Sequence, residues 1–298
     1  MTSSTRRHFL RTAAVLAGAV PLAAAGCSRT DPEQERQGGG TLERARQDGK
    51  IRVGFANEAP YGFTDTSGKL TGEAPELARV IFKELGIGTV EGVQVDFGGL
   101  IGGLNARRFD VISAGMFITP DRCAAVAFSD PEYIAKSAFM VPKGNPDGIA
   151  KFEDAAAKNL RVGVLTGAVE AGYAEKLGVK KSNIKTFPDQ PSAYEGLKAK
   201  RVDCIALTRI SLADLLSKHK GEPFELTDAF TPVIGGKEQK GAGAFAFRKA
   251  DGDLLKAFND KLAELKRSNR LLPILQPFGF TQADMPGPND TAAVFCQG

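Results

Sequence analysis

The sequence predicts an α/β protein built as two lobes with a cleft between them, and three observations carry that prediction. Short runs rich in Val, Ile, Leu and Phe alternate with single helical segments, the pattern of a parallel sheet covered on both faces. The alternation stops at Pro142-Lys143-Gly144-Asn145-Pro146-Asp147-Gly148, a cluster of turn formers, and then begins again. Each α/β unit so delimited is too small for a large enzyme domain, which favours two lobes over one continuous sheet.

In chain order, residues 41–49 read as a short helix and 51–56 as a strand. Over 73–85 the spacing puts Leu77, Val80, Ile81 and Leu85 on one helical face. A strand is expected over 93–97, a helix over 100–107, a strand over 110–113, a short helix from Thr119 and a strand over 137–141. After the break come strand 160–165, helix 169–177, strand 184–187, helix 192–200 and strand 203–207. Residues 241–247 form one more strand, and Leu254, Leu255, Phe258, Leu262 and Leu265 mark a strong closing helix.

The segment before the first element reads as an address. Residues 1–26 run from Arg6-Arg7 through an Ala, Val and Leu stretch to small residues, the charged, apolar and cleavage regions of an export leader. The apolar stretch is shorter than the roughly 20 residues that span a bilayer. The paired arginines resemble a twin-arginine signal, and Ala24-Ala25-Gly26-Cys27 resembles a lipoprotein cleavage site that would leave Cys27 to take lipid. Residues 27–47 would then be a lipid-anchored flexible tether, polar and interrupted by Gly38-Gly39-Gly40. The expected location is the outer face of the cytoplasmic membrane, or the periplasm.

Composition removes whole classes of function. Loss of the leader takes away Arg6, Arg7 and Arg11 and no acid, lowering the formal charge from +4 to about +1. A near-neutral chain without basic runs gives no electrostatic case for nucleic acid. His219 becomes the sole histidine, at a helix end in Leu215-Leu216-Ser217-Lys218-His219-Lys220, which leaves histidine-rich metal sites and Ser-His-Asp or Cys-His catalysis poorly supplied. There is no Cys-x-x-Cys spacing, and neither a metal nor a cofactor is expected. With Cys27 lipidated, Cys123, Cys204 and Cys296 remain. Cys204 sits in a buried-strand pattern, Val202-Asp203-Cys204-Ile205-Ala206-Leu207, and is taken as the free core thiol. A Cys123–Cys296 bridge is the expectation outside the cell.

Two long motifs carry a family resemblance. Phe109-Asp110-Val111-Ile112-Ser113-Ala114-Gly115-Met116-Phe117-Ile118-Thr119-Pro120-Asp121-Arg122, with Phe128-Ser129-Asp130-Pro131 after it, resembles the signature of family 3 extracellular solute-binding proteins. So does Gly68-Lys69-Leu70-Thr71-Gly72-Glu73-Ala74-Pro75-Glu76-Leu77-Ala78. The resemblance covers residues 48–280 and implies a two-lobed fold of the periplasmic-binding-protein type (type II). Lobe one would comprise 48–142 and 241–298 and lobe two 143–240, with two strands crossing at a hinge near 139–143 and 242–247. It implies a binding protein and not an enzyme, expected to act as a monomer, with a membrane ABC permease as partner.

Within that family, Ala56-Asn57-Glu58-Ala59-Pro60-Tyr61, Phe97-Gly98-Gly99-Leu100-Ile101 and Gly115-Met116-Phe117-Ile118-Thr119-Pro120-Asp121-Arg122-Cys123 are most similar to the ectoine- and hydroxyectoine-binding proteins. This implies an aromatic box of Tyr61, Phe97 and Phe117, a ligand carboxylate on Arg122, and a ring N–H on Glu58, with Gly115 among the binding positions. Cys123 together with a cysteine near the C-terminus also looks like that subfamily.

The chemistry agrees. Arg122 offers a planar fork to a carboxylate. Lobe two, in contrast, reads Ala206-Leu207-Thr208-Arg209-Ile210, with no acid until Asp214 where amino-acid binders often place one for an α-ammonium. A ring-delocalised cation is better held by aromatic faces, each contributing on the order of 2 kcal/mol when desolvated. Ectoine, a cyclic amidinium with a carboxylate, fits that description. From lobe two, the turn Leu165-Thr166-Gly167-Ala168-Val169-Glu170 would contribute backbone N–H groups at Gly167 and Val169. Two alternatives stand beside this reading: a polar amino-acid-binding protein, and a cyclohexadienyl-dehydratase-like extracellular enzyme on the same fold. For the latter, Glu58 is the sole obvious cleft carboxylate.

Overall fold

The computed structural model describes residues 40–297, so the leader, Cys27 and most of the expected tether lie outside the described residues. Helix α1 (Thr41–Asp48) leads into strand β1 (Lys50–Phe55), the small hairpin β2 (Phe63–Thr64) and β3 (Leu70–Thr71), and helix α2 (Glu73–Glu84). Strand β4 (Thr89–Gln94), helix α3 (Leu100–Asn105), strand β5 (Val111–Phe117) and helix α4 (Pro120–Ala125) follow, then the strands β6 (Ala127–Phe128), β7 (Tyr133–Ala135) and β8 (Ser137–Pro142). The chain continues with α5 (Phe152–Ala157), β9 (Val162–Leu165), α6 (Val169–Lys176), β10 (Ile184–Phe187), α7 (Gln190–Lys198), β11 (Cys204–Thr208), α8 (Arg209–Lys218) and β12 (Phe224–Leu226). After the hairpin β13 (Val233–Ile234) and β14 (Lys237–Glu238) come β15 (Gly241–Phe247), α9 (Gly252–Arg267), α10 (Leu271–Leu275) and α11 (Ala292–Gln297). Among the described residues, no helix is long and apolar enough to cross a membrane.

Two separate sheets define two lobes. The first runs β4-β1-β5-β15-β6, with β7 also pairing β15, and the second runs β10-β9-β11-β8-β12. The pairings of β1 with β4 and β5, and of β9 with β10 and β11, are parallel. Strand β15 is antiparallel to β5, and β8 is antiparallel to β11 and β12, so each sheet is mixed where a wholly parallel one was expected. The reason is connectivity. The chain leaves the first lobe into β8 and re-enters it along β15, and neither strand closes a strand-helix-strand crossover. The passages fall at Lys136 and at Gln239–Lys240, so the expected crossover stretches 139–143 and 242–247 lie mainly inside the second and wholly inside the first sheet.

Period-two alternation sorts each central strand between two cores. In β15, Phe245 and Phe247 face one layer with Leu77, Ile81 and Phe82 of α2 and Leu254, Phe258 and Leu262 of α9. Ala242, Ala244 and Ala246 face the other, with Leu100 and Leu104 of α3 and with Phe109. The second lobe repeats the arrangement: Ile205 and Leu207 of β11 join α7 and α8, and Cys204 and Ala206 join Phe139, Phe152 and Ala174. Each large side chain so buried contributes about 1.5–3 kcal/mol. Cys204 is the buried free thiol, and Cys123 on α4 is bonded to Cys296 on α11, a sequence separation of 173.

Two boundaries differ from expectation where it matters. Strand β4 ends at Gln94, not at residue 97; Val95 makes a last bond to Phe55, and Phe97 opens a 3₁₀ turn, Phe97–Gly99. Strand β5 runs on through Gly115 to Phe117, which the sequence placed in a loop. Gly115 allows this because its φ is 61°, and a Cβ there would lie 2.5 Å from the Tyr61 ring.

Candidate functional site

Between the lobes lies a small cavity of about 30 Å³, lined by Glu58, Tyr61, Phe97, Gly115, Phe117, Arg122, Ala168, Val169, Glu170, Leu207 and Thr208. Seven of these positions are the ones singled out from sequence: Glu58, Tyr61, Phe97, Gly115, Phe117, Arg122 and Val169. Gly167 is absent from the wall, but its carbonyl oxygen accepts from Arg122 Nη2 at 2.9 Å. The strand ends of both sheets meet here, the usual place for a ligand in an open α/β sheet.

Local structure sets each side chain. Thr119 caps α4, accepting from the Arg122 backbone N–H, and Pro120 sits in the first turn, so the short helix starts in a fixed place. The Arg122 guanidinium then reaches back to donate to Phe117 O at 2.7 Å and lies 5.4 Å from the Phe97 ring centre. Tyr61 stacks on Tyr133 at 5.4 Å between ring centres, and Phe117 meets Tyr133 edge-on at 6.4 Å. Tyr133 was not picked out from sequence. It stands behind the box, its hydroxyl donating to Gly115 O at 2.9 Å. Burial pushes the hydroxyls of Tyr61 and Tyr133 well above their ordinary range, so both remain neutral donors.

The lobes are closed on one another. Tyr61 Oη and Thr208 Oγ1 are 2.7 Å apart, Ser211 Oγ donates to Glu58 Oε1 at 2.7 Å, and Gln190 Nε2 donates to Ala59 O at 3.2 Å. A Cβ on Gly167 would come within 2.7 Å of Gly98 Cα, so the two turns approach backbone to backbone.

Lobe two supplies an acid from a turn other than the one after β11, where the sequence has none before Asp214. Glu170, in the first turn of α6, is 3% exposed and lines the cavity beside Arg122. Glu58 is therefore not the sole carboxylate of the cleft. Burial pushes Glu58 up to about 7, against the Ser211 hydrogen bond and with help from the Glu170 charge. Burial also pushes Glu170 up to about 7, opposed by a backbone hydrogen bond and by Arg122. An acid in a first helical turn usually compensates the helix dipole, so nothing in the sequence marks Glu170 as a cavity residue. Thr208, which caps α8, and Ser211 in its first turn were likewise missed.

Among the described residues, no group of three or more His, Cys, Asp and Glu is placed to hold a metal. His219 ends α8 and stacks on Tyr194 at 3.8 Å, in the second lobe and off the cavity wall. The site can therefore clamp a carboxylate, stack a flat or cationic group and bind it to carboxylates, while excluding water.

The model of the bacterial extracellular solute-binding proteins, family 3, matches residues 51–281. A probable amino-acid ABC transporter periplasmic-binding protein, y4tE of Sinorhizobium fredii, is 34% identical over 260 residues, 86% of each chain. The L-cystine-binding protein TcyJ of Escherichia coli is 30% identical over 234 residues, 78% of this chain and 83% of its own. Among solved structures, EhuB in complex with hydroxyectoine superposes with a TM-score of 0.78 at 35% identity, covering 86% of this chain and 97% of EhuB. These relatives are binding proteins, and with its two sheets and interlobe cavity this chain belongs to the bacterial extracellular solute-binding proteins, family 3, as a binding protein and not an enzyme.

Proposed function

We propose that this chain captures ectoine or hydroxyectoine outside the cytoplasmic membrane and delivers it to an ABC permease. One observation carries the reading: three aromatic rings, a guanidinium and buried carboxylates converge on a single interlobe cavity. Arg122 would trade its carbonyl partners for the ligand carboxylate, a charge-assisted bidentate contact. Tyr61, Phe97 and Phe117 would hold the ring, whose amidinium takes the place that Arg122 now occupies over Phe97. Glu58 would accept a ring N–H, and Gly167 and Val169 would supply the second-lobe backbone. The likeness to EhuB supports the ligand class.

Capture would begin on lobe one, open to solvent. Closure then brings Thr208 and Ser211 onto Tyr61 and Glu58, expels water and strengthens every charge contact inside. The surface formed where the two lobes close on each other would be what the permease reads, with lipid on Cys27 keeping the protein near it.

A second reading, a polar amino acid, is favoured by Glu170, an acid from lobe two that a compact α-ammonium could use. Calorimetric titration of residues 28–298 with ectoine, hydroxyectoine, L-glutamine and L-arginine separates the two. Micromolar or tighter binding of the ectoines with the amino acids silent is the expected outcome. Binding of an amino acid alone would overturn the aromatic-box assignment and leave Arg122 as the carboxylate clamp.

A further inference from the structure

The helix that carries Arg122 has no core side chain of its own. α4 (Pro120–Ala125) is six residues long, and none of them is buried. Ile118 before it and Val126 after it are buried, so the helix stands proud between two anchored positions. Pro120, Asp121, Ala124 and Ala125 are exposed, and the two half-buried residues are Arg122 and Cys123. Arg122 lines the cavity. Cys123 is bonded to Cys296 on α11, and the two cysteines pack with Ala292 and Phe295 against the core layer that also contains Phe97. The C-terminal helix is tied to lobe one in turn, because the Ala292 N–H donates to Asp130 Oδ1 at 3.0 Å.

The guanidinium is anchored on the carbonyls of Phe117 and Gly167. When it turns to a ligand carboxylate it gives those partners up, and its place is then set by the backbone of α4. A bidentate contact tolerates little error in that place. At the C-terminal end of α4, Lys249 Nζ donates to Ala124 O at 2.6 Å and Asn105 Nδ2 to Ala125 O at 3.4 Å. Both donors belong to exposed side chains, and such bonds compete with water. The disulfide does not.

We propose that the Cys123–Cys296 bridge is a positioning element of the binding site: it holds α4 where Arg122 meets the ligand carboxylate, so affinity as well as stability depends on it. The proposal rests on the reading of Arg122 as the carboxylate clamp, and not on which ligand carries the carboxylate. A bridge with a sequence separation of 173 also restrains the unfolded chain. That second role alone raises the melting temperature and leaves the affinity of the folded protein unchanged, so the two roles part in what they do to Kd.

The test is a double-mutant cycle on residues 28–298, in which Cys296→Ser opens the bridge without altering α4. Ectoine, hydroxyectoine, L-glutamine and L-arginine all carry a carboxylate, and whichever binds wild type most tightly serves as the probe. By calorimetry well below the melting temperature, Cys296→Ser should weaken binding by about five- to tenfold when Arg122 is present. Beside Arg122→Ala the same change should cost less than about twofold, because no clamp is left to misplace. Folded wild type treated with a water-soluble phosphine loses the same bond without refolding, and it should show the same loss even where the serine variant fails to fold. Affinity within about twofold of wild type for both bridge-free forms, or an equal loss with and without Arg122, would overturn the proposal and leave the clamp standing. Wild-type affinity in Arg122→Ala itself would overturn the clamp, and silence of all four ligands the ligand reading; this proposal would fall with either.

Discussion

On lobe one the cavity wall is made of large side chains, the rings of Tyr61, Phe97 and Phe117 and the guanidinium of Arg122, each fixed by packing within its own lobe. On lobe two it is made of smaller uncharged groups, Ala168, Val169, Leu207 and Thr208, with Glu170 as the one ionisable side chain. The difference teaches a division of labour. Lobe one is organised before any ligand arrives and should set affinity. Lobe two bonds to lobe one's own groups when the cleft is shut, so it should set how readily the lobes close.

The sharpest way to break that division is Arg122→Ala. Removing the carboxylate clamp should cost about 3 kcal/mol of binding, a hundredfold or more in Kd. Calorimetry with ectoine checks it, and a loss of less than tenfold would move the carboxylate elsewhere in the cleft. Next comes Phe117→Ala. The ring is 6% exposed and touches both the cavity and Tyr133, so the variant should bind at least tenfold more weakly and melt lower while keeping its two-lobed far-ultraviolet spectrum. Unchanged affinity would make Phe117 a core residue only.

These lobe-one positions were legible because they sit in long local motifs. Arg122 sits in the first turn of a capped, proline-started helix, Phe117 ends β5, and Tyr61 and Phe97 stand in the turns that follow β1 and β4. The strand-helix alternation gave the two-lobed fold for the same reason: it is a local, periodic signal. What remained hidden depends on contacts far apart in sequence. Glu170 reaches the site only because β9 and β5 point their ends at one cleft, and Ser211 meets Glu58 across 153 positions. The mixed sheet order was hidden likewise, since β15 returns to β5 after the whole second lobe.

A third prediction probes a part of lobe one that no motif displays. Behind the aromatic box, Glu73 in the first turn of α2 and Glu132 just before β7 are fully buried, and their carboxyl oxygens have no hydrogen-bond partner. Burial and mutual repulsion hold Glu73 well above the ordinary carboxylate range, and burial holds Glu132 up against the pull of Lys266. The sign follows from the raised values. Protonated acids fit the folded state, so their support is complete below the ordinary carboxylate range and is lost as pH rises through the raised folded values. Wild-type protein should therefore lose stability between pH 5 and pH 9. Glu73→Gln should flatten that loss, gaining about 1–2 kcal/mol at pH 9 and little at pH 5. Urea melts at the two pH values read the difference directly, and an equal effect at both would mean that the pair does not titrate.

The smallest expected effect belongs to lobe two and tests the division most directly. Ser211 is fully buried at the start of α8, where its hydroxyl donates to Glu58 and accepts from Gln190 Nε2 at 2.9 Å. Gln190 in turn donates to Ala59 O, so this one hydroxyl ties α7, α8 and the lobe-one loop together only when the cleft is closed. Ser211→Ala removes that tie and leaves the rings and Arg122 untouched. It should weaken ligand binding by about 1 kcal/mol, roughly fivefold, because closure becomes less favourable while the lobe-one contacts persist. Small-angle scattering should show the ligand-free variant more open than wild type and the liganded one equally compact. A loss as large as that of Arg122→Ala would mean that lobe two holds the ligand as tightly as lobe one does, because a closure latch can cost no more than the closure equilibrium it biases.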